Sequence, residues 1–178
     1  AGGFVPVQPA HVVGGAPLNS RGAGGWRPAG KHHIEAELPS RANGVMRLSI
    51  GPVTLEVLAV GAREVPAEAD GSALVYREAH PATDSLVLAE EERVEEFLLL
   101  RDSQAPRSFA YKLRVKGEGC RVRQLEGVVE VLDAQGNAWL RLASLDVVDA
   151  GGERSKATAA LDGELLRVSL PEAVRRYP

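Results

Sequence analysis

The sequence predicts a mainly β protein: an antiparallel β-sandwich or open, barrel-like sheets, with a glycine- and proline-rich N-terminal arm. Three observations predict this fold. Valine-rich stretches alternate apolar and polar residues with the period of 2 that strands have. Turn signals separate these stretches at intervals of about 8–12 residues, which is typical of sandwiches. Aromatic residues make up only 4% of the chain, so the core must consist mainly of Val, Leu and Ala.

The chain of 178 residues is long enough for one domain with an additional arm. We place the boundary after residue 30, with a Gly/Pro-rich arm or linker over 1–30 and a β-rich domain over 31–178. The arm keeps neither a strand nor a helix period, and it cannot offset its own ordering entropy. It does contain apolar residues, so we expect it to dock on a neighbouring segment: Phe4, Val5, Val7, Val12, Val13 and Trp26.

The clearest strand covers residues 109–115, where apolar and polar residues alternate without a break. The stretch 53–60 is apolar nearly throughout, which indicates a strand at the centre of a sheet or one buried on both faces. Residues 94–100 fit a strand, although the composition from residue 89 onward also fits a helix. A single helical turn opened by Pro171 is predicted over 171–176. The other predicted strands are 34–38, 46–50, 73–77, 85–89, 121–125, 128–132, 138–143, 156–161 and 165–170.

Two turn signals connect the later strands. Asp162-Gly163 is typical of a tight hairpin, because glycine tolerates the positive φ that such a turn needs. The residues 133–137, Asp-Ala-Gln-Gly-Asn, are faintly similar to a calcium loop, but no bidentate glutamate follows at the required offset. We therefore interpret 133–137 as a hairpin turn.

The charge balance argues against nucleic-acid and membrane partners. A net charge of −3 gives neither the basic footprint of a nucleic-acid-binding protein nor a polybasic surface for anionic lipid. No apolar stretch approaches the ~18 residues of a membrane span. The sequence thus predicts no nucleic-acid partner and no membrane span.

No group of residues predicts a metal site, a cofactor or catalysis. His32 and His33 are adjacent, so on a strand they point to opposite faces and cannot easily chelate one ion. The single cysteine, Cys120, is interpreted as a turn residue. No nucleophile elbow, zinc-protease motif or phosphate loop is present, so we predict a protein that is not an enzyme. Five acidic residues are interpreted as a solvated face: Glu90, Glu91, Glu92, Glu95 and Glu96.

Four ordered motifs resemble the region ahead of the YD repeats in bacterial wall-associated and Rhs-type proteins. They are Val75-Tyr76 with the following His80-Pro81-Ala82-Thr83-Asp84, then Arg93-Val94-Glu95-Glu96-Phe97-Leu98-Leu99-Leu100, then Ser108-Phe109-Ala110-Tyr111-Lys112-Leu113, then Val131-Leu132-Asp133-Ala134-Gln135-Gly136. The resemblance covers roughly residues 70–178 and includes the closing Tyr177-Pro178. It implies a β-rich structural segment without catalysis, beside a repeat shell that encloses a toxic or enzymatic cargo. Since the resembling region continues past its tyrosine–proline pair, we expect the chain to be part of a larger protein.

From these observations we expect a non-catalytic structural or assembly module of a large secreted bacterial surface or toxin-delivery protein. Its partners would be neighbouring domains of the same parent protein, and its location would be secreted or at the cell surface. The alternative is a carbohydrate-binding or adhesion module that uses exposed aromatic rings. The predicted ligand or partner contacts in either case are Trp26, Trp139 and Tyr76.

Overall fold

The computed structural model describes residues 33–70, 73–90, 92–142, 145–172 and 177, and it describes 6–8 and 12–14 as backbone strands. Within these residues the secondary structure is β throughout, with no helix. The strands form two antiparallel sheets, of eleven and six strands, whose buried residues make one core. The predicted mainly β, sandwich-like fold is confirmed.

Seventeen strands lie in the described part of the chain. Their bounds are β1 (Pro6–Gln8), β2 (Val12–Gly14), β3 (Glu35–Glu37), β4 (Val45–Ile50), β5 (Val53–Val60), β6 (Glu68–Asp70), β7 (Ala73–His80), β8 (Thr83–Ala89), β9 (Arg93–Leu100), β10 (Ser108–Lys116), β11 (Arg121–Leu125), β12 (Val128–Leu132), β13 (Ala138–Leu142), β14 (Asp146–Val148), β15 (Arg154–Lys156), β16 (Thr158–Asp162) and β17 (Leu165–Ser169).

The large sheet consists of two meanders joined in the middle. Strands β6, β7, β8 and β9 follow one another on one side, and β11, β12 and β13 follow one another on the other. Strands β1 and β2 lie between these meanders, paired with β9 on one edge and with β14 and β13 on the other. The small sheet has the order β16-β17-β10-β5-β4-β3.

The core forms where the inner faces of the two sheets meet. Strand β10 shows the pattern best, because Phe109, Tyr111 and Leu113 are buried whereas the alternate Arg114 is exposed. This period of 2 is what the sequence predicts for residues 109–115. The most completely buried side chains come from both sheets: Leu48, Val53, Leu98, Leu100, Leu132, Leu140, Val147 and Val168.

The structure settles one open prediction and changes another. Residues 93–100 form strand β9, so the helical alternative for this region is excluded. The predicted single strand over 156–161 is wrong, because Ala157 separates β15 from β16. The Ala157 N–H donates to the Leu145 carbonyl at the point where the chain passes from the large sheet to the small one. In the predicted helical turn over 171–176, residues 173–176 lie outside the described residues.

Two hairpins of the large sheet use the same turn. After β12, the Asp133 carboxylate accepts hydrogen bonds from the N–H groups of Gln135 and Asn137, both at 2.9 Å. After β14, the Asp149 carboxylate accepts from the N–H groups of Gly151 and Glu153 in the same way, at 2.8 and 3.0 Å. The interpretation of residues 133–137 as a hairpin turn is confirmed, and the sequence Asp-Ala-x-Gly repeats it at 149–152.

Candidate functional site

The middle of the large sheet holds a slot for an extended chain, which we call the strand slot. One wall is the edge of β9, and the other is the edge of β13 and β14. Along the β9 wall, Val7 of β1 pairs with Leu98, and Val12 of β2 pairs with Val94. Both pairings are antiparallel, so β1 and β2 run along β9 as two consecutive pieces of strand.

The second wall holds the same two strands in a single register. Val7 pairs with Val147 on β14, and Val12 pairs with Leu142 on β13. The two residue numbers of each antiparallel pair add up to 154, so β13 and β14 follow one line along the arm. Pro6, which has no N–H to donate, is the first residue of β1, one of the few places in a sheet where proline is tolerated.

The walls of the slot belong to the core. Leu98 on one wall is 1% exposed, and Val147 on the other is 0% exposed. A missing strand would leave two lines of backbone N–H and C=O groups without partners in the middle of a sheet, each costing about 1–3 kcal/mol where it is buried from water. The slot must therefore be filled by a strand for the large sheet to be continuous.

Three of the outer edge strands of the two sheets are short and charged, unlike the slot. Strands β3, β6 and β15 have three residues each, two of them charged: Glu35–Glu37, Glu68–Asp70 and Arg154–Lys156. Short, charged edges discourage the addition of another strand. The features that favour strand pairing are thus concentrated in the interior slot.

A glutamine side chain covers a further edge. Gln124 of β11 donates from Nε2 to the Ala159 carbonyl at 2.8 Å, and its Oε1 accepts from the Leu161 N–H at 2.9 Å. Ala159 and Leu161 both belong to β16, the edge strand of the small sheet. The side-chain amide therefore binds the backbone of β16 as a neighbouring strand would, and it joins the two sheets.

A carboxyl group lies inside the sandwich beside the slot. Glu96 of β9 accepts a 2.6 Å hydrogen bond from the Ser85 hydroxyl. Burial raises the pKa of the Glu96 carboxyl, and the neighbouring hydroxyls of Ser85 and Tyr111 only partly offset that effect. The Tyr111 hydroxyl is fully buried and forms no hydrogen bond of ordinary geometry with a described residue.

The acidic residues near β9 differ from the solvated face that the sequence predicts. Glu95 is buried with its carboxylate 3.6 Å from the Arg93 guanidinium, and Glu96 faces the core. Glu90 and Glu92 fit the prediction, since Glu92 is exposed and Glu90 forms an exposed ion pair with Arg93 at 2.7 Å, whereas Glu91 lies outside the described residues. The interpretation is wrong for Glu96, which shares the core-facing side of β9 with Val94 and Leu98, and for Glu95, which is buried on the opposite face beside Arg93.

Two small cavities flank the buried carboxyl, with volumes of about 70 and 40 Å³. Met46, Val57, Glu96 and Tyr111 border both of them. The remaining wall of the larger cavity is almost entirely aliphatic. Glu96 and Tyr111 thus form the boundary between an aliphatic cavity and a smaller one that polar side chains also line.

Tyr76 and His80 of β7 are packed on the side of the smaller cavity. The Tyr76 hydroxyl donates to the Pro39 carbonyl at 2.7 Å, and burial together with the Glu96 charge raises the pKa of Tyr76 to about 12. The His80 ring meets Phe109 edge-to-face at a centroid distance of 5.3 Å. Burial lowers the pKa of His80, which favours the neutral imidazole.

The residues predicted as ligand or partner contacts are not brought together. Tyr76 is only 3% exposed and hydrogen-bonded within the chain, and Trp26 lies outside the described residues. Trp139 is half-buried and donates from Nε1 to the Asp133 carboxylate at 2.8 Å. Its ring lies against Gly51 in the β4–β5 turn, where a Cβ would be 2.3 Å from Cζ3. Trp139 therefore connects the large sheet to the small one.

The described residues contain neither a cluster of metal-ligating side chains nor a membrane-spanning helix. No group of three or more His, Cys, Asp or Glu side chains there is placed to hold a metal ion. Cys120 is a free thiol in the turn between β10 and β11. Over the same residues, no helix is long and apolar enough to span a bilayer.

These observations define the class of protein as an antiparallel β-sandwich whose larger sheet is completed by strands from its own N-terminal arm. No protein-family model, curated protein or solved structure matches the chain.

Proposed function

We propose that the chain is a non-catalytic structural and assembly module that is held together by strand insertion. The observation that carries the proposal is the pairing of β1 and β2 on both edges, in the interior of the large sheet. Strand addition is a general mode of protein recognition, in which backbone hydrogen bonds supply affinity and the flanking side chains supply selectivity.

The contrast between edges and slot supports assembly at the slot. The outer edges β3, β6 and β15 are short and charged, and β16 is covered by Gln124. The slot instead offers two antiparallel ladders whose walls contribute buried Leu and Val side chains to the core. A segment that enters the slot gains paired backbone on both sides together with contact to the core.

The setting we propose is a large secreted bacterial surface or toxin-delivery protein, in which the module packs against neighbouring segments. Its support is the ordered set of motifs over residues 70–178 that resembles the region ahead of YD repeats. The coding sequence around the chain tests this setting. YD repeats directly after Tyr177-Pro178 would support it, and a stop codon at that point would contradict it.

Substituting Val13 by proline in the full chain tests strand insertion. Val13 pairs with Arg93 on one wall and with Arg141 on the other, and proline cannot donate to a ladder within a central strand. We expect V13P to lower the free energy of unfolding by at least about 2 kcal/mol, as a buried backbone group loses its partner. The matched control is S20P, outside both strands in a stretch that already contains Pro17 and Pro28, and we expect it to change little.

A peptide added in trans completes the test. A synthetic peptide of residues 1–16 should raise the melting temperature of the V13P chain, and the same peptide carrying V13P should not. Equal stability of V13P, S20P and the unaltered chain would show that β2 does not sustain the sheet, and it would overturn the proposal.

A further inference from the structure

We propose that the strand slot also accepts β1 and β2 of a second copy of this chain, so that two copies exchange N-terminal arms in a two-fold dimer. The inference rests on the proposed function, because it requires the arm to be the segment that completes the sheet. It adds an identified partner: the arm of an identical chain.

The length of chain between β2 and β3 makes exchange possible. Strand β3 is an edge strand of the small sheet, and the following Pro39 accepts a hydrogen bond from Tyr76 on β7. The slot and β3 are separated by the width of β9, β8 and β7 and by the gap between the sheets, about 25 Å at strand and sheet spacings of ~4.8 and ~10 Å. Residues 15–34 provide twenty residues, which extend to about 70 Å. The connection is more than twice as long as insertion into its own slot requires.

Exchange preserves every contact that the slot makes. Val7 and Val12 of one copy would pair with the same four residues of the other copy: Leu98, Val147, Val94 and Leu142. The contact is reciprocal, so it closes into a two-fold dimer and does not continue into a filament. The short, charged outer edges do not offer a second chain a comparable ladder.

Linker length decides between the two modes of insertion. The twenty-residue connection holds the arm near its own slot at an effective concentration of about 1 mM, so the full chain is monomeric when dilute and exchanges as its concentration approaches that value. A linker that cannot reach its own slot removes this competition. The dimer then becomes the favoured way to fill both slots.

The decisive experiment shortens the linker in the otherwise complete chain. Deleting residues 16–31 leaves four residues between β2 and β3, which span under ~20 Å, less than the ~25 Å that insertion into the same chain requires. We expect this variant to be a dimer by light scattering and native mass spectrometry, with a melting temperature close to that of the unaltered chain. The matched control replaces residues 16–31 by a glycine–serine sequence of equal length, and it should remain monomeric when dilute.

Exchange in the unaltered chain is measured by refolding ¹⁵N-labelled and unlabelled protein together near 1 mM. Dimers of intermediate mass are expected, and V13P in both chains should abolish dimers.

Three results would overturn the inference, and they separate it from the proposed function. A shortened variant that is monomeric and as unstable as V13P shows that the arm leaves its slot without entering a second copy, which refutes exchange alone. A shortened variant that is monomeric and fully stable shows that the arm does not fill the slot, which refutes both proposals. A dimer that persists with V13P forms by another surface, and this also refutes exchange.

Discussion

Replacing Asp133 by Asn, with Asp149→Asn as the matched control, tests how the hairpin turns are stabilised. Both aspartates accept two backbone N–H groups on Oδ1, and both are buried. Only Asp133 has a second set of described donors, since its Oδ2 accepts from Asn137 Nδ2 at 2.9 Å and from Trp139 Nε1 at 2.8 Å. The amide of an asparagine at position 133 has one oxygen, which can accept either the two backbone N–H groups or the two side-chain N–H groups. Its NH₂ group then faces the other two donors, and those two hydrogen bonds are lost.

The expected loss of stability follows from these contacts. Hydrogen bonds to a charged acceptor contribute about 1.5–3 kcal/mol each, and D133N loses two of them, so we expect its free energy of unfolding to fall by about 3–6 kcal/mol. The D149N variant keeps an amide oxygen that can still accept both backbone N–H groups, and each of these bonds weakens by about 1 kcal/mol on loss of the charge, so it should lose only about 2 kcal/mol.

The difference between the unaltered chain and D133N also depends on pH. Burial acts to raise the pKa of Asp133, but the hydrogen bonds from Trp139 and Asn137 outweigh it and lower the pKa below its ordinary value. A carboxyl with a lowered folded-state pKa contributes stability above the unfolded pKa, near 3.9, and loses it as pH falls through the folded value. The advantage over D133N should therefore be full at pH 7 and should shrink below about pH 4.

The assay is urea unfolding of the three proteins at pH 7 and at acid pH, followed by tryptophan fluorescence and circular dichroism. Equal destabilisation of D133N and D149N would refute the reasoning, because it would show that the Oδ2 contacts contribute nothing. A loss in D133N that is unchanged at acid pH would refute the role of the charge.

Three further substitutions follow from the contacts between the sheets. Gln124→Ala removes both hydrogen bonds to the β16 edge, so we expect a loss of about 1–3 kcal/mol in urea unfolding and more concentration-dependent association in light scattering; an unchanged midpoint would contradict this. Glu96→Gln removes a carboxyl whose pKa is raised in the folded state. Such a carboxyl stabilises the fold fully at pH values below its unfolded pKa, and this stabilisation is lost as pH rises. The variant should therefore gain stability relative to the unaltered chain as pH rises above about 4.3, the ordinary pKa of a glutamate, by up to about 1.4 kcal/mol per pH unit within the titration window, and pH-independent differences would contradict this. Gly51→Ala should lower the melting temperature more than Gly61→Ala, because both glycines have positive φ but only a Cβ at Gly51 would meet the Trp139 ring; equal melting temperatures would show that the ring can move aside.

The sequence predicts most of the strands because their signal is local. Strands β5, β11 and β12 lie at their predicted bounds, where alternation or an apolar run is bounded by turn residues. At residues 89–100 local composition fits a helix as well as a strand. Pairing with β8 over Thr83–Ala89 decides for the strand, and that contact is not visible in a local window.

The slot could not be predicted for the same reason. Strands β1 and β2 have three residues each within a segment rich in glycine and proline, so no period emerges there. The predicted docking of the arm is an insertion into the sheet, specified by partners about 90 and 140 positions further along the chain. Glu96 was missed because its burial depends on which face of β9 meets the small sheet. The alternation of apolar Val94, Leu98 and Leu100 around it was the available signal.

The position of the arm in the large sheet has a consequence for folding during synthesis. Residues 6–14 leave the ribosome before either wall of the slot exists, and the second wall is complete only when Val148 has been made. Synthesis at about 5–20 residues per second leaves the arm without its second neighbour for roughly 7–30 seconds. The first strands to be synthesised are thus the last to find both of their neighbours, and until then β1 and β2 have at least one edge open to other nascent chains.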